Sequence, residues 1–208
     1  MHDIPRGLYA LTASRYPDAA RLLDEVEAAL AGGAAMVQFR DKSGDAAWRL
    51  DTARALQARC AARGVPLIVN DDVALALAVG AAGVHLGRDD GSPAAARARL
   101  GADAIIGVSC YDAFDRAVEA AGAGADYVAF GSLFASPTKR EAVRCDLSLL
   151  TRARALGPAV VGIGGITRHN APEAIAAGAH ALAVISALFD AQDIRREAQR
   201  FAALWPSH

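Results

Sequence analysis

Short apolar runs alternate with Ala-rich stretches of helical character along the whole chain. The strand-like runs are GLYAL (7–11), AMVQFR (35–40), PLIVN (66–70), GVHLG (83–87), AIIGVS (104–109), YVAFGS (127–132), AVVGIGG (159–165) and ALAVIS (181–186). Helix-like segments fall near 18–31, 45–62, 72–79, 93–99, 112–121, 147–155, 170–177 and 189–204. A strand followed by a helix, eight times over, predicts an all-parallel sheet closed on itself. The expected fold is therefore α/β, a (β/α)8 TIM barrel with residues 1–208 as one domain.

An internal echo supports that count. GAAMV (33–37), GAAGV (80–84), GADYV (124–128) and GAHAL (178–182) recur at intervals of 47, 44 and 54 residues. Each puts a glycine at a helix end and then enters strand two, four, six or eight, so two βα units repeat four times. The competing reading is that Gly-Ala pairs are simply common in an Ala-rich chain.

Composition narrows the function classes. The chain has 208 residues, 53% hydrophobic and 22% charged, as ordinary globular proteins do. With 22 basic and 23 acidic residues the formal net charge is −1, which offers no electrostatic footprint for nucleic acid or an anionic membrane. The longest apolar run, VALALAVGAAGV (73–84), falls short of the roughly 20 residues that span a bilayer, and no secretory leader is expected from MHDIPRGLYALTAS. Cys60, Cys110 and Cys145 are scattered without CxxC spacing, which points to reduced thiols and a cytoplasmic protein.

Barrel enzymes place their chemistry at the C-terminal ends of the strands. Strand two ends in Gln38, Arg40 and Lys42, which alternation puts on one side, where two cations and an amide suit phosphate oxygens. The alternative is a structural ion pair with Asp41 or Asp45. Strand three ends in Asn70 and Asp71, and strand four runs through His85 and Gly87 to Asp89 and Asp90. Neighbouring parallel strands end at similar heights, so Asp71 and Asp90 are expected to approach one another and to need a proton or cation between them. Mg²⁺ fits, since it accepts one or two carboxylates and completes its shell with water and phosphate. Asp72 reads as a helix N-terminal charge, Asp89 as solvated, and His85 as a hydrogen-bonded core residue.

Strand five ends in Ser109, a donor for a phosphate oxygen. The longest irregular stretch, 131–146, carries Ser136, Pro137, Thr138 and Lys139, readable as a phosphate clamp or as a solvated polar loop. GIGGI (162–166) and VISAL (184–188) follow strands seven and eight, where Gly-rich turns are the usual phosphate site of this fold. A side chain at Gly165 is expected to stand where that phosphate approaches the backbone. Two anion sites result, one suited to a diphosphate with Mg²⁺ and one to a monophosphate.

QFRDK, LIVNDD, GVHLGRDD, GVS, SPTK, GIGGI and VISAL stand in the order and spacing of the thiamine phosphate synthase family, and the resemblance covers nearly the whole chain. It implies a transferase that acts on hydroxymethyl-aminopyrimidine diphosphate and hydroxyethyl-methylthiazole phosphate, giving thiamine phosphate and diphosphate. It implies a pyrimidine diphosphate site at Gln38, Phe39, Arg40, Asp41, Lys42, Asn70, Ser109 and Lys139, with Lys139, Arg40 and Ser109 acting in catalysis. Asp71 and Asp90 are the implied ligands of one Mg²⁺ per subunit. Ser136, Pro137, Thr138, Gly165, Ile185 and Ser186 are the implied thiazole phosphate site. The partners expected are these small molecules, and a homo-oligomer is compatible with the reading.

Three positions depart from the family pattern: Arg88 stands where Gln is usual, Tyr111 where His is common, and Ser136 in place of a Thr. Two rivals compete. A thiazole tautomerase of the same barrel family would lack the Asp pair, whereas Asp71, Asp90 and Lys139 are present here. A non-catalytic binder of a phosphorylated ligand would need one anion site, not two.

Overall fold

The computed structural model describes residues 2–135 and 144–205 of the chain. Eight parallel strands close into a barrel in sequence order, with β1 paired to β8. They are β1 (Gly7–Leu11), β2 (Met36–Phe39), β3 (Leu67–Asn70), β4 (Gly83–Leu86), β5 (Ile105–Tyr111), β6 (Tyr127–Phe130), β7 (Ala159–Ile163) and β8 (Ala181–Val184). The helices between and after them are α1 (Ala19–Ala31), α2 (Ala46–Ala62), α3 (Val73–Val79), α4 (Pro93–Leu100), α5 (Phe114–Gly122), α6 (Ser148–Ala153), α7 (Ala171–Ala176), α8 (Ser186–Phe189) and α9 (Ile194–Ala202).

Local chemistry sets the helix ends. Asp18, Asp45, Asp72, Ser92 and Asp193 each accept a backbone N–H three residues on, which satisfies an orphan donor of the first turn. The Gly-Ala echo marks the other end. Gly33, Gly80, Gly124 and Gly178 all have positive φ. The following residue then donates back five positions: Ala34 to Ala29, Ala81 to Ala76, Ala125 to Ala120 and Ala179 to Ala174, each at 3.0 Å. This is one helix-stop geometry used four times to turn the chain into an even-numbered strand.

Strand alternation divides the core. Tyr9, Leu11, Met36, Ile68, Tyr127, Ala129, Val161, Ala181 and Ala183 fill the barrel interior. Leu8, Ala10, Val37, Phe39, Val69, Val108, Val128, Phe130, Leu182 and Val184 face the helical layer. Continued to the strand ends, the inward parity includes Gln38, Asn70, His85 and Ser109.

Several boundaries differ from expectation. β6 ends at Phe130 and β7 at Ile163. Gly164 and Gly165 leave strand conformation with φ of 96° and 63°. The helix expected over 189–204 is two helices, because Ser186 starts α8 two residues after β8 ends and Asp193 caps a separate α9. α6 likewise tightens into a 3-10 turn over Arg154–Leu156.

Candidate active site

The mouth of the barrel carries a cleft of about 510 Å³ whose lining includes Lys42, Arg49, Asn70, Asp71, Asp72 and Asp90. Asp71 follows inward-facing Asn70, so simple alternation would turn it toward the helices. Instead its φ is 64°, a left-handed conformation that costs a non-glycine residue about 1–3 kcal/mol and occurs preferentially at functional sites. Its N–H donates to the His85 carbonyl at 2.8 Å, which ties the turn to β4.

Asp71 meets Asp90 in this cleft. Burial first, and then the neighbouring Asp90 carboxyl, push the Asp71 carboxyl up to about 6, against the opposing pull of Lys42 and Arg40. Asp90 is held by the Gly87 N–H at 2.8 Å. A Cβ at Gly87 would stand 2.7 Å from the Asp90 carboxylate, so the bare backbone lets the acid tuck in. Lys42 Nζ lies 3.9 Å from Asp71, so this cation pairs with Asp71 and not with Asp41 or Asp45.

A close carboxylate pair with one member pushed toward protonation is short of positive charge, and a divalent cation would supply it. Among the described residues no group of three or more His, Cys, Asp or Glu gathers as a metal cage. A pair of carboxylates is a donor set that Mg²⁺ could use, since it takes one or two carboxylates and fills its other positions with water and phosphate.

Below the mouth, a line of buried polar groups crosses the barrel. Gln38 Nε2 donates to Tyr9 Oη at 2.8 Å, and Tyr9 Oη lies 2.9 Å from Tyr127 Oη. Tyr127 Oη is 2.9 Å from His85 Nδ1, and His85 Nε2 is 2.8 Å from Ser109 Oγ. The Tyr127 ring stacks on His85 at 5.5 Å and meets the Tyr9 ring edge-on at 6.0 Å. It occupies the space that Gly107 leaves open, where an added Cβ would come within 1.9 Å of the ring. Burial pushes the His85 imidazole down to about 4, so it is neutral at pH 7. His85 is thus the hydrogen-bonded core residue that its apolar strand suggested.

Other expected site residues divide by orientation. Arg40 exchanges backbone hydrogen bonds with the Thr12 hydroxyl, at 2.9 and 3.2 Å. Two residues of QFRDK have buried side chains. Phe39 is buried in the helical layer with its ring 6.2 Å from Trp48, as the outward parity of β2 requires. The Asp41 carboxylate is only 2% exposed, accepts from Ser43 N and Oγ at 3.1 and 2.7 Å, and lies 3.8 Å from Arg49.

Gly165 packs tightly against the neighbouring turn: a Cβ there would run into the carbonyls of Phe134 and Ala135, at 2.4 and 2.6 Å. The glycine lets the turn after β7 close against the turn after β6. Ile185 and Ser186 sit where β8 gives way to α8. Ser136, Pro137, Thr138 and Lys139 lie outside the described residues.

Three residues escaped the sequence reading. Arg49 on α2 hydrogen-bonds Asp72 at 3.0 Å and lies within ion-pair distance of Asp41 at 3.8 Å, so its charge stands between two loops of the cleft. Asp72 is otherwise the α3 cap that its position suggested. Tyr9 and Tyr127 each carry a hydroxyl in an otherwise apolar strand, which is the one signal in the sequence that could have found them.

Comparison with known proteins agrees with this architecture. The family model described as thiamine monophosphate synthase matches residues 8–188. A thiamine-phosphate synthase of Azoarcus sp. (strain BH72) is 59% identical over 201 residues, covering 96% of this chain and 97% of that protein. One of Thiobacillus denitrificans is 57% identical over 206 residues, covering 99% and 97%. The solved thiamine phosphate pyrophosphorylase of Pyrococcus furiosus superposes with a TM-score of 0.85 at 32% identity, covering 95% of this chain and 94% of that one. The chain belongs to the thiamine monophosphate synthase family of transferases.

Proposed function

We propose that the chain transfers the hydroxymethyl-aminopyrimidine group from its diphosphate to the ring nitrogen of hydroxyethyl-methylthiazole phosphate, releasing diphosphate and giving thiamine phosphate. The observation that carries this reading is the Asp71–Asp90 pair sharing a cleft with Lys42 and Asn70, beneath a chain of the named family. Asp71 and Asp90 would hold one Mg²⁺ per subunit, which when bound neutralises charge on the leaving diphosphate.

The chain's own residues do the rest. Lys42, Arg40 and Lys139 bring positive charge to the diphosphate, and Ser109 adds a hydroxyl donor. The bond to diphosphate breaks first, and the amino group of the pyrimidine ring supplies the electron push that makes departure feasible. The thiazole nitrogen carries no proton, so its attack needs no general base. His85 is consistent with this, since both its ring nitrogens are already engaged. The turns at Gly165 and at Ile185–Ser186, with Ser136, Pro137 and Thr138, would hold the thiazole phosphate so that the nucleophile stands in line. We place the protein in the cytoplasm, where Cys60, Cys110 and Cys145, all buried and free, stay reduced. No helix among the described residues is long and apolar enough to cross a membrane.

The test is to mix both substrates with Mg²⁺ and assay for thiamine phosphate, with and without EDTA. Metal-dependent product supports the reading. Thiazole phosphate binding with no product would favour a tautomerase or a binding protein, for which the carboxylate pair has no use.

A further inference from the structure

The line Gln38–Tyr9–Tyr127–His85–Ser109 joins two groups proposed to touch the same substrate, from β2 on one side of the barrel to β5 on the other. Each hydroxyl has one proton to give, so the direction of one bond sets the direction of the next. The Gln38 amide nitrogen can only donate. With it facing Tyr9, every hydroxyl proton in the line finds an acceptor when Tyr9 donates to Tyr127 and Tyr127 to His85 Nδ1, although the Tyr9–Tyr127 contact by itself admits either donor. The imidazole proton then sits on Nε2 and points to Ser109 Oγ. Ser109 is left with its own proton free for a ligand, and Gln38 is left with its amide oxygen.

Turning the Gln38 amide over would reverse every proton in the line. Tyr9 would donate to Gln38, and Ser109 would donate to His85 and offer only lone pairs to an anion. An anion at Ser109 therefore favours the state in which Gln38 shows an acceptor, and an N–H donor at Gln38 favours the state in which Ser109 shows a donor. Tight fit keeps the line continuous. Tyr9 and Tyr127 are each under 2% exposed, and the Tyr127 ring fills the place of the missing Gly107 side chain.

We infer that Tyr9, Tyr127 and His85 are positioning residues that couple the Gln38 amide to the Ser109 hydroxyl, so that the barrel selects a ligand with an N–H donor at one end and an anionic oxygen at the other. This rests on the proposed function, in which the aminopyrimidine diphosphate is such a ligand. It extends that reading by assigning a selective role to three side chains that need not touch the substrate.

Tyr127→Phe tests it, because the ring stays over Gly107 and only the central hydroxyl is lost. With both substrates and Mg²⁺, kcat/KM for the pyrimidine diphosphate should fall about tenfold, the scale of one hydrogen bond to a charged group, while Kd for thiazole phosphate stays within about twofold. Adding Tyr127→Phe to Ser109→Ala should cost almost nothing further, since the line is already cut. A pyrimidine diphosphate lacking the amino group should be penalised more by the wild type than by Tyr127→Phe. Tyr9→Phe should repeat the pattern and serves if the first variant does not fold. Equal loss for both substrates, additive effects in the double variant, or lower thermal stability with unchanged selectivity would overturn the inference. A wild type that forms no thiamine phosphate would overturn the functional reading and this inference with it.

Discussion

The guanidinium of Arg88 lies over the ring of Tyr111, 5.1 Å from its centroid. These are two of the three positions that depart from the family pattern, and the structure makes them one interacting pair at the rim between β4 and β5. Arg116 approaches the same ring at 5.7 Å and bonds the Ser109 carbonyl at 3.1 Å, while Tyr111 holds a left-handed φ of 55°. Tyr111 is 39% exposed, so the stack is of the surface kind, worth about 0.5–1 kcal/mol. Arg88→Gln and Tyr111→Ala should show a coupling of that size in a urea-unfolding double-mutant cycle. Strict additivity would mean that the stack is not populated in solution.

Asp71→Asn and Asp90→Asn should each lower turnover at least a hundredfold while leaving a folded barrel. An asparagine at 90 can still accept the Gly87 N–H, so the loop is kept while the charge is removed. Circular dichroism and Mg²⁺ titration at saturating diphosphate check this. Near-normal activity in either variant would remove that residue from the metal site.

Two groups give metal-free stability opposite pH slopes in overlapping windows. The Asp71 carboxyl is raised to about 6 in the fold, so the folded chain holds this proton more tightly than the unfolded one. Its contribution to stability falls as pH rises from about 4 to 6. His85 is lowered to about 4, so the unfolded chain binds its proton more readily, and its contribution is lost as pH falls from about 6.5 to 4. In EDTA, Asp71→Asn should therefore look more favourable relative to wild type at pH 7 than at pH 4.5. His85→Gln should flatten the acid-side loss. An Asp71→Asn effect on unfolding that is independent of pH would mean that Asp71 titrates normally in the fold.

Gly165→Ala should destabilise the barrel by about 1–3 kcal/mol, because φ is 63° and the new methyl would meet two carbonyls of the neighbouring turn. Thiazole phosphate binding should weaken as the two turns separate, with Mg²⁺-diphosphate binding retained. Paired titrations on the folded variant check this, and unchanged thiazole phosphate affinity would place that site elsewhere.

Much of the architecture was legible because its causes are local. Period-two alternation put Gln38 on the inward face of β2, and a residue's facing depends only on its strand neighbours. The Gly-Ala echo announced the helix stops, since a left-handed residue and its backbone bond five positions back are short-range geometry. The proximity of Asp71 and Asp90 followed from adjacent parallel strands ending at one level.

Only the tertiary structure decided what those faces meet. Tyr9 and Tyr127 are separated by 118 residues, and nothing near either one says that their hydroxyls touch. Arg49 reads as any exposed helical cation until the packing of α2 against α3 brings it to Asp72. Asp71 reaches the mouth through a left-handed turn that alternation does not foresee, and the Asp41 side chain is buried where Ser43 bonds it and Arg49 stands close. Local pattern determines which way a side chain points. Closure of the barrel determines its partner, because hydrogen bonds and charge pairs form between strands and helices that chain order brings together only at the end.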